Sequence, residues 1–534
     1  MKNYYYELKS RLDAEPKYRD NLFRRAFAIT DNKSIDLESY PFYGTWKSHP
    51  FGSYNLLIHP SENAYFHSYN GRNIVLIGYA FDPYSDVIDE NIITKKALEL
   101  YLSDRDAFFD YLDELTGVFV FFIENDGDVF AVQDCSGPIA VFFGKIDKYN
   151  VFASSPQLVG DIFDLPRYKN AERLIDSKGY KRGSGFLPGN ITPYKELKRL
   201  GCNTYLEYSD NLFSISRFFP RKKCEPISDE GEKKAVIKDM AALMTKSIDL
   251  AMKKWPKLSL SLTGGVDSGT EFACASKYYD DIYVFSFASK DSEKIDADAA
   301  AQICKYMGVN HHMNYVPENP DDIEDYDFLD KIIEHNNSYM CKIHPNEKRK
   351  FIFFDGKDEL GAEFKGDVSE IARAFCDRKY YKVKYPRVLD PRHFTISQGR
   401  YFFEPWAEKF CDTAFKHYME ETGLTDDILG YSMQDLCYWE IKTGSWAANV
   451  YNMQCYMHPI VMIYNNRNLM KMFLRFSKEE RANDLPHKWI VEEVNPKLSK
   501  FELRIKDSYF GITRMLIETA YYYFATRLNT KGHN

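Results

Sequence analysis

The chain has 534 residues, a net charge of −8, 28% charged residues and a sequence pI near 5.9. That length holds two or three domains, and the acidic balance argues against a polyanion-binding protein, so nucleic acid is not an expected partner. No stretch offers the roughly 18 uninterrupted apolar positions a membrane helix needs, and Met1-Lys2-Asn3-Tyr4 leads into charged residues rather than an apolar leader. The expectation is a cytoplasmic protein with no membrane partner, and the sequence sets no preference between monomer and homo-oligomer. Ten cysteines are scattered singly from Cys135 to Cys455, with no C-x-x-C and no Cys/His cluster at zinc spacing, which predicts reduced structural thiols.

In chain order, residues 1–220 read as β-rich. Asn73–Tyr79 is a strand, followed by helix candidates over Thr94–Leu102 and Ala107–Leu115. Gly117–Ile123 and Val129–Gln133 are apolar β-rich runs around an Asp-Gly turn, which predicts a hairpin. Ala140–Phe143 and Val151–Ser154 extend the sheet. A linker with Arg221, Lys222, Lys223 and Pro226 opens the second half, 221–534, through a long helix over Asp229–Lys253. From there short strands alternate with helices, the pattern of a parallel sheet flanked by helices. The predicted strands are Leu258–Thr263, Ile282–Ala288 and Lys350–Phe354. Beyond Asp390 the sequence reads as mostly helical, ending in Ile512–Leu528.

One stretch concentrates the chemistry. The strand at Leu258 runs into Thr263-Gly264-Gly265-Val266-Asp267-Ser268, and a helix-compatible segment follows directly. Glycines let backbone N–H groups approach an anion, and a helix N-terminus adds positive potential aimed at the same place. This predicts a phosphate cradle. Nowhere does the chain supply G-x-x-x-x-G-K-[ST], so it is not the lysine-bearing phosphate loop. Off the ends of the next two predicted strands lie Ser289 with Asp296, and Asp355-Gly356-Lys357-Asp358-Glu359. Acids beside a phosphate cradle imply a bridging hard cation, hence Mg²⁺ and a nucleotide.

Together these elements resemble the asparagine synthetase family over roughly residues 70–510. Thr263 to Ser268 is similar to the family's S-G-G-x-D-S loop with threonine first. Asp296 stands sixteen residues before His312, as a family aspartate does before a His-His pair, and Asp355 to Glu359 is similar to G-E-G-x-D-E. The resemblance implies an α/β synthetase domain with a parallel sheet at 221–534, preceded by a sandwich domain of N-terminal-nucleophile type at 1–220. It implies that ATP is gripped by Thr263, Gly264, Gly265, Asp267 and Ser268, with Leu262, Ser289, Asp296, Phe353 and Phe354 around the nucleotide and Asp267 and Asp358 on Mg²⁺. Lys488, upstream of Pro496 and Arg504-Ile505-Lys506, is similar to a lysine that stabilises departing pyrophosphate, and Asp355 is the candidate base for the amine.

The amino-terminal half resembles the family's glutaminase domain at Leu115–Phe119, Asp134–Gly137 and Phe152–Ser155. That domain uses a cysteine exposed at the new first position, where this chain has Lys2, and no cysteine precedes Cys135. Loss of glutamine hydrolysis is therefore expected, with Cys135 and Cys202 read as structural thiols. The family's E-x-R-x-P-F-L-D segment is also missing, since Cys455-Tyr456-Met457-His458-Pro459 keeps only the proline. The resemblance thus implies an ATP-dependent, AMP-forming amide synthetase that joins a small-molecule or peptide carboxylate other than free aspartate to an amine, as in β-lactam synthetase and lasso-peptide cyclase. Ammonia-dependent amidation of a small acid, such as a uronic acid, and an inactive scaffold are the alternatives.

Overall fold

The computed structural model describes residues 2–183, 185–289, 291–340, 345–375, 391–401, 403–425, 427–455, 458–501, 516–517 and 520. The predicted terminal helix, Ile512–Leu528, and Arg504 to Lys506 lie outside the described residues or almost wholly so.

Alternating and continuous apolar runs make the amino-terminal strands. These are β1 (Phe27–Thr30), β2 (Lys47–Phe51), β3 (Tyr54–Ile58), β4 (Ala64–Tyr69), β5 (Arg72–Phe81), β6 (Thr116–Asn125), β7 (Asp128–Gln133), β8 (Phe142–Ile146), β9 (Tyr149–Ala153), β10 (Leu197–Arg199), β11 (Thr204–Ser209) and β12 (Leu212–Arg217). They form two antiparallel six-stranded sheets, ordered β10-β8-β9-β1-β3-β2 and β12-β11-β7-β6-β5-β4. The sheets pack face to face through phenylalanines, with Phe27 to Phe122 at 5.7 Å and Phe122 to Phe152 and Phe152 to Phe213 both at 5.9 Å between ring centres. Aromatic pairs at this spacing gain beyond the area they bury. The β6–β7 hairpin turns at Asp126 and Gly127, whose φ of 49° and 93° are the left-handed values a two-residue hairpin requires. Helices Glu90–Ser103 and Arg105–Glu114, capped by Asp89 and Asp104, cover the outer face of the second sheet.

The helix Glu230–Lys254, capped by Asp229, leads into a parallel sheet. Its strands are β13 (Leu258–Ser261), β14 (Ile282–Ala288), β15 (His312–Tyr315) and β16 (Ala362–Phe364); a small hairpin of β17 (Asp427–Ile428) and β18 (Tyr431–Ser432) precedes the last, β19 (Ile460–Val461). The order is β15-β14-β13-β16-β19. β13 is central and its carboxyl end carries the loop, so strand order places that loop where ligands bind in open α/β sheets.

One prediction fails here. Lys350–Phe354 is the end of a helix, Pro345–Phe354, not a strand. The strand that takes its place beside β13 is the three-residue β16, with Leu258 opposite Ala362 and Leu260 opposite Phe364.

The largest apolar core runs from Phe27 to Leu498 across both halves, and a second, from Leu8 to Met453, also joins them. Polar clasps join them. The fully buried Arg467 donates to the carbonyls of Asp134 and Cys202 at 3.0 Å, and Asn465 donates to the Gly117 carbonyl at 2.6 Å. The segments that resemble a glutaminase, Leu115–Phe119 and Asp134–Gly137, thus serve as an internal seam. Among the described residues no helix is long and apolar enough to cross a membrane.

Candidate active site

β13 ends at Ser261, and the chain turns through Leu262, whose N–H donates to the Phe285 carbonyl at 2.8 Å. Two hydroxyls then brace the loop. Thr263 Oγ1 lies 2.9 Å from Ser268 Oγ and accepts the Gly265 N–H at 3.1 Å, while Ser268 Oγ accepts the Thr263 N–H at 3.2 Å. The helix begins inside the motif, as Val266–Cys274, with Gly265 at its N-cap and no side chain capping it. Its first N–H groups therefore keep no side-chain acceptor, which suits a phosphate.

Gly366, just beyond β16, packs against this turn. A methyl group there would stand 3.1 Å from Asp267 Cβ and 3.3 Å from the Ser268 nitrogen. Only a glycine lets the two strand ends approach so closely.

Asp267 is held on both oxygens. Arg373 Nη1 reaches Oδ2 at 2.5 Å, and Ser369 Oγ donates to Oδ1. Arg373 in turn donates from Nε to Asp484 at 2.8 Å, and Ser369 Oγ also lies 3.2 Å from His487 Nε2. Further acids crowd the place. Burial first, then the like charges of Asp367 and Asp267, hold the Glu271 carboxyl well above its ordinary range, and both its buried oxygens lack a hydrogen-bond partner. Burial, Asp267 and Asp367 push Glu370 up to about 8, and burial above all raises Asp367.

Lys365, just past the carboxyl end of β16, is a largely buried cation of this region. Its Nζ sits 2.6 Å from Glu363 and donates to Ser261 Oγ at 3.1 Å, immediately before the loop. Glu363 also holds His458 Nε2 at 2.5 Å, and the other imidazole nitrogen of His458 is buried without a partner. Burial works to raise the Glu363 carboxyl, but Lys365 and His458 outweigh it and bring it down to about 2.

At the end of β14, Ser289 donates through both N–H and Oγ to Glu293 at 2.8 Å. Asp296, one turn on, has a buried oxygen without a partner, and burial and Glu293 raise its carboxyl. The structure therefore gathers Leu262, Thr263, Gly264, Gly265, Asp267, Ser268, Ser289 and Asp296 at carboxyl ends of adjacent strands.

The other predicted positions lie elsewhere. Asp355 to Glu359 form the turn into the amino end of β16, where Ala362 N–H donates to the Lys257 carbonyl at 3.0 Å. The length of β13, about 13 Å, separates that end from the loop. Asp358 therefore does not share a cation with Asp267, and Asp355 pairs instead with Arg24 of the amino-terminal half at 2.9 Å. Phe353 and Phe354 meet edge to face at the end of their helix, in a small cluster with Phe285, Val316 and Leu360. Lys488 is partly exposed and donates to the Asn483 carbonyl at 3.0 Å, while its neighbour His487 is the one that meets Ser369.

The residues missed from sequence are Lys365, Gly366, Asp367, Glu370 and Arg373. Their signal was a lysine, a glycine and an acid directly after an apolar position, Phe364-Lys365-Gly366-Asp367, but the strand before it is only three residues long with a charge in the middle.

The predicted pair for Mg²⁺ does not fit, but a revised one does. Among the described residues no group of three or more His, Cys, Asp or Glu is arranged to hold a metal. A nucleotide-borne Mg²⁺ needs only one or two carboxylates beside the phosphate oxygens. Asp267 with Asp367 or Glu370 would supply that.

The family model described as asparagine synthase matches residues 239–342. The matched segment contains the loop and Asp296 and stops short of β16. Residues 239–342 are thus similar to an asparagine synthase domain, which supports an ATP-dependent amide ligase. No curated protein matches the chain. Among solved structures it is similar to glutamine phosphoribosylpyrophosphate amidotransferase from B. subtilis complexed with ADP and GMP, at 10% identity over 67% of this chain and 72% of that one, with a TM-score of 0.22. It is also similar to a structure of the allosteric regulatory enzyme of purine biosynthesis, at 9% identity over 62% and 88% of the two chains and a TM-score of 0.24. A glutamine-dependent NAD⁺ synthetase from Acinetobacter baumannii, in complex with ADP, matches at 14% identity over 28% of each chain and a TM-score of 0.15.

Proposed function

We propose that the protein is an AMP-forming amide-bond synthetase that adenylates a substrate carboxylate and passes the acyl group to an amine or ammonia arriving from outside the chain. The observation that carries this reading is the uncapped helix at Gly265, braced by Thr263 and Ser268 and set at the carboxyl end of the central strand. A carboxylate oxygen attacks the α-phosphorus of ATP, and the bond to the pyrophosphate oxygen breaks. The amine nitrogen then attacks the acyl carbon, the bond to AMP breaks, and the nitrogen sheds a proton.

The loop N–H groups and hydroxyls take the pyrophosphate charge as it builds, which works because they need not reorganise. Lys365, rather than Lys488, lies beside the loop to stabilise the transferring phosphoryl group. Asp267 with Asp367 or Glu370 would hold Mg²⁺, which when bound neutralises phosphate charge. Glu363 and His458 replace Asp355 as the proton-accepting pair. The adenylated carboxylate is one other than free aspartate.

Absence of glutaminase activity is supported by the thiols. Cys135 and Cys202 are buried, and burial above all raises Cys135 well above its usual range and Cys202 to about 12, so neither is a ready nucleophile.

Pyrophosphate release from ATP with Mg²⁺, measured over a panel of carboxylic acids and amines with Asp267→Asn as control, tests the ligase reading. Release dependent on both substrates and reduced at least about a hundredfold in the control is expected. Release no greater than that of Asp267→Asn with every pair would leave a scaffold. Glutamate formation from added glutamine would overturn the inert first half.

A further inference from the structure

The Arg373 guanidinium is paired with Asp267, one of the carboxylates that would hold the nucleotide's metal. Its Nη1 lies 2.5 Å from Asp267 Oδ2, and its Nε holds Asp484 at 2.8 Å. Ser369, four residues earlier on the same short 3-10 helix, occupies the other oxygen of Asp267. The cation is therefore not a passing surface contact: it is anchored at its far end, its side chain is 16% exposed, and it is delivered by the segment that follows β16. Around it stand Asp267, Asp484 and Glu370, while Glu271 near Asp267 is flanked by Asp367 and Lys365.

A carboxylate oxygen cannot make full contact with a guanidinium and a small, hard divalent ion in the same direction, because both are cations and each needs the lone pair the other uses. We propose that Arg373 is a resident counter-cation which keeps Asp267 neutralised in the nucleotide-free protein and competes with the divalent metal for it. Metal arriving with ATP displaces the guanidinium from Asp267. Asp484 retains it, so the freed Nη groups stay beside the phosphates, where new negative charge has entered. Arg373 is thus a positioning residue whose effect is on metal demand rather than on the bonds that change.

This inference rests on the ligase reading only in that Thr263 to Ser268 binds ATP. The competition makes a signed prediction. In wild type, part of the metal's binding free energy goes into breaking the Arg373 pair. Without the guanidinium less metal is needed.

The test is calorimetric titration of ATP into the full chain at a series of Mg²⁺ concentrations, for wild type, Arg373→Gln and Arg373→Lys, with thermal unfolding of each as a check on folding. The Mg²⁺ concentration giving half of the full gain in ATP affinity should fall about fivefold or more in Arg373→Gln. Arg373→Lys, which keeps the charge but not the planar fork, should lie between. An unchanged or raised metal requirement in Arg373→Gln would overturn the inference, and if that variant does not fold, a requirement in Arg373→Lys at or above wild type does the same. No ATP binding by wild type at any Mg²⁺ concentration would instead count against the nucleotide reading itself.

Discussion

Glu370 carries the clearest pH signature of the site. Burial with Asp267 and Asp367 nearby lifts its carboxyl to about 8, above the roughly 4.5 of an exposed glutamate. The folded state therefore holds a proton that the unfolded chain releases, and the stability tied to it is fully present below pH 4.5 and lost as pH rises through 8. Glu370→Gln keeps the shape and removes the titration. In metal-free buffer the variant should exceed wild type in stability at pH 8.5 by at least about 1 kcal/mol, and the gain should vanish near pH 4.5, as read by urea unfolding at the two pH values. An equal offset at both would show that the residue acts by packing alone. Glu363 runs the other way, because Lys365 and His458 outweigh burial: its contribution is present above about 4.5 and fades as pH falls toward 2.

At the scale of elements, the two strand ends at the loop are set by one missing side chain. With its methyl 3.1 Å from Asp267 Cβ, Gly366→Ala should push the end of β16 away from the loop while the sheet stays folded. Overpacking of this kind costs about 1–3 kcal/mol, and ATP affinity measured by calorimetry should drop about tenfold with little change in melting temperature. Unaltered ATP affinity would mean that the loop tolerates the shift. The loop itself was legible from sequence, because an apolar strand running into glycines and then a helix leaves a local pattern. The strand beside it was not. Lys350-Phe351-Ile352-Phe353-Phe354 is a short apolar run, and such runs read as strand or buried helix alike. It is helix because it closes a ten-residue segment opening at Pro345, with its face turned onto Phe285 and Val316. β16 escaped notice for the opposite reason, since Ala362-Glu363-Phe364 is too short for alternation and its middle residue is a buried charge held by Lys365 and by His458 from distant sequence.

For the whole molecule, the seam between the sandwich and the parallel sheet was visible only as resemblance. Asp134-Cys135-Ser136-Gly137 reads as a fragment of a glutaminase, whereas its carbonyls and hydroxyl are occupied by Arg467 and Asn465 from more than three hundred residues away in the chain. Arg467→Met would leave those carbonyls and part of Asp113 unpaired inside the core. Loss of a buried, paired charge costs about 3–5 kcal/mol, and denaturant unfolding should show a single transition at lower urea for signals from both halves. Separate transitions would mean that the halves are stable alone.

The last strand, β19, reaches the sheet nearly a hundred residues after the strand it pairs with, Ile460 lying opposite Glu363. Synthesis runs from the amino terminus, so until the ribosome has delivered that stretch β16 is an open edge and Glu363 has no imidazole beside it. Residues 465–467, which follow at once, are the ones that clasp the sandwich. The nucleotide site and the seam are therefore finished in the same few residues of translation, and a chain truncated before Ile460 would lack both together.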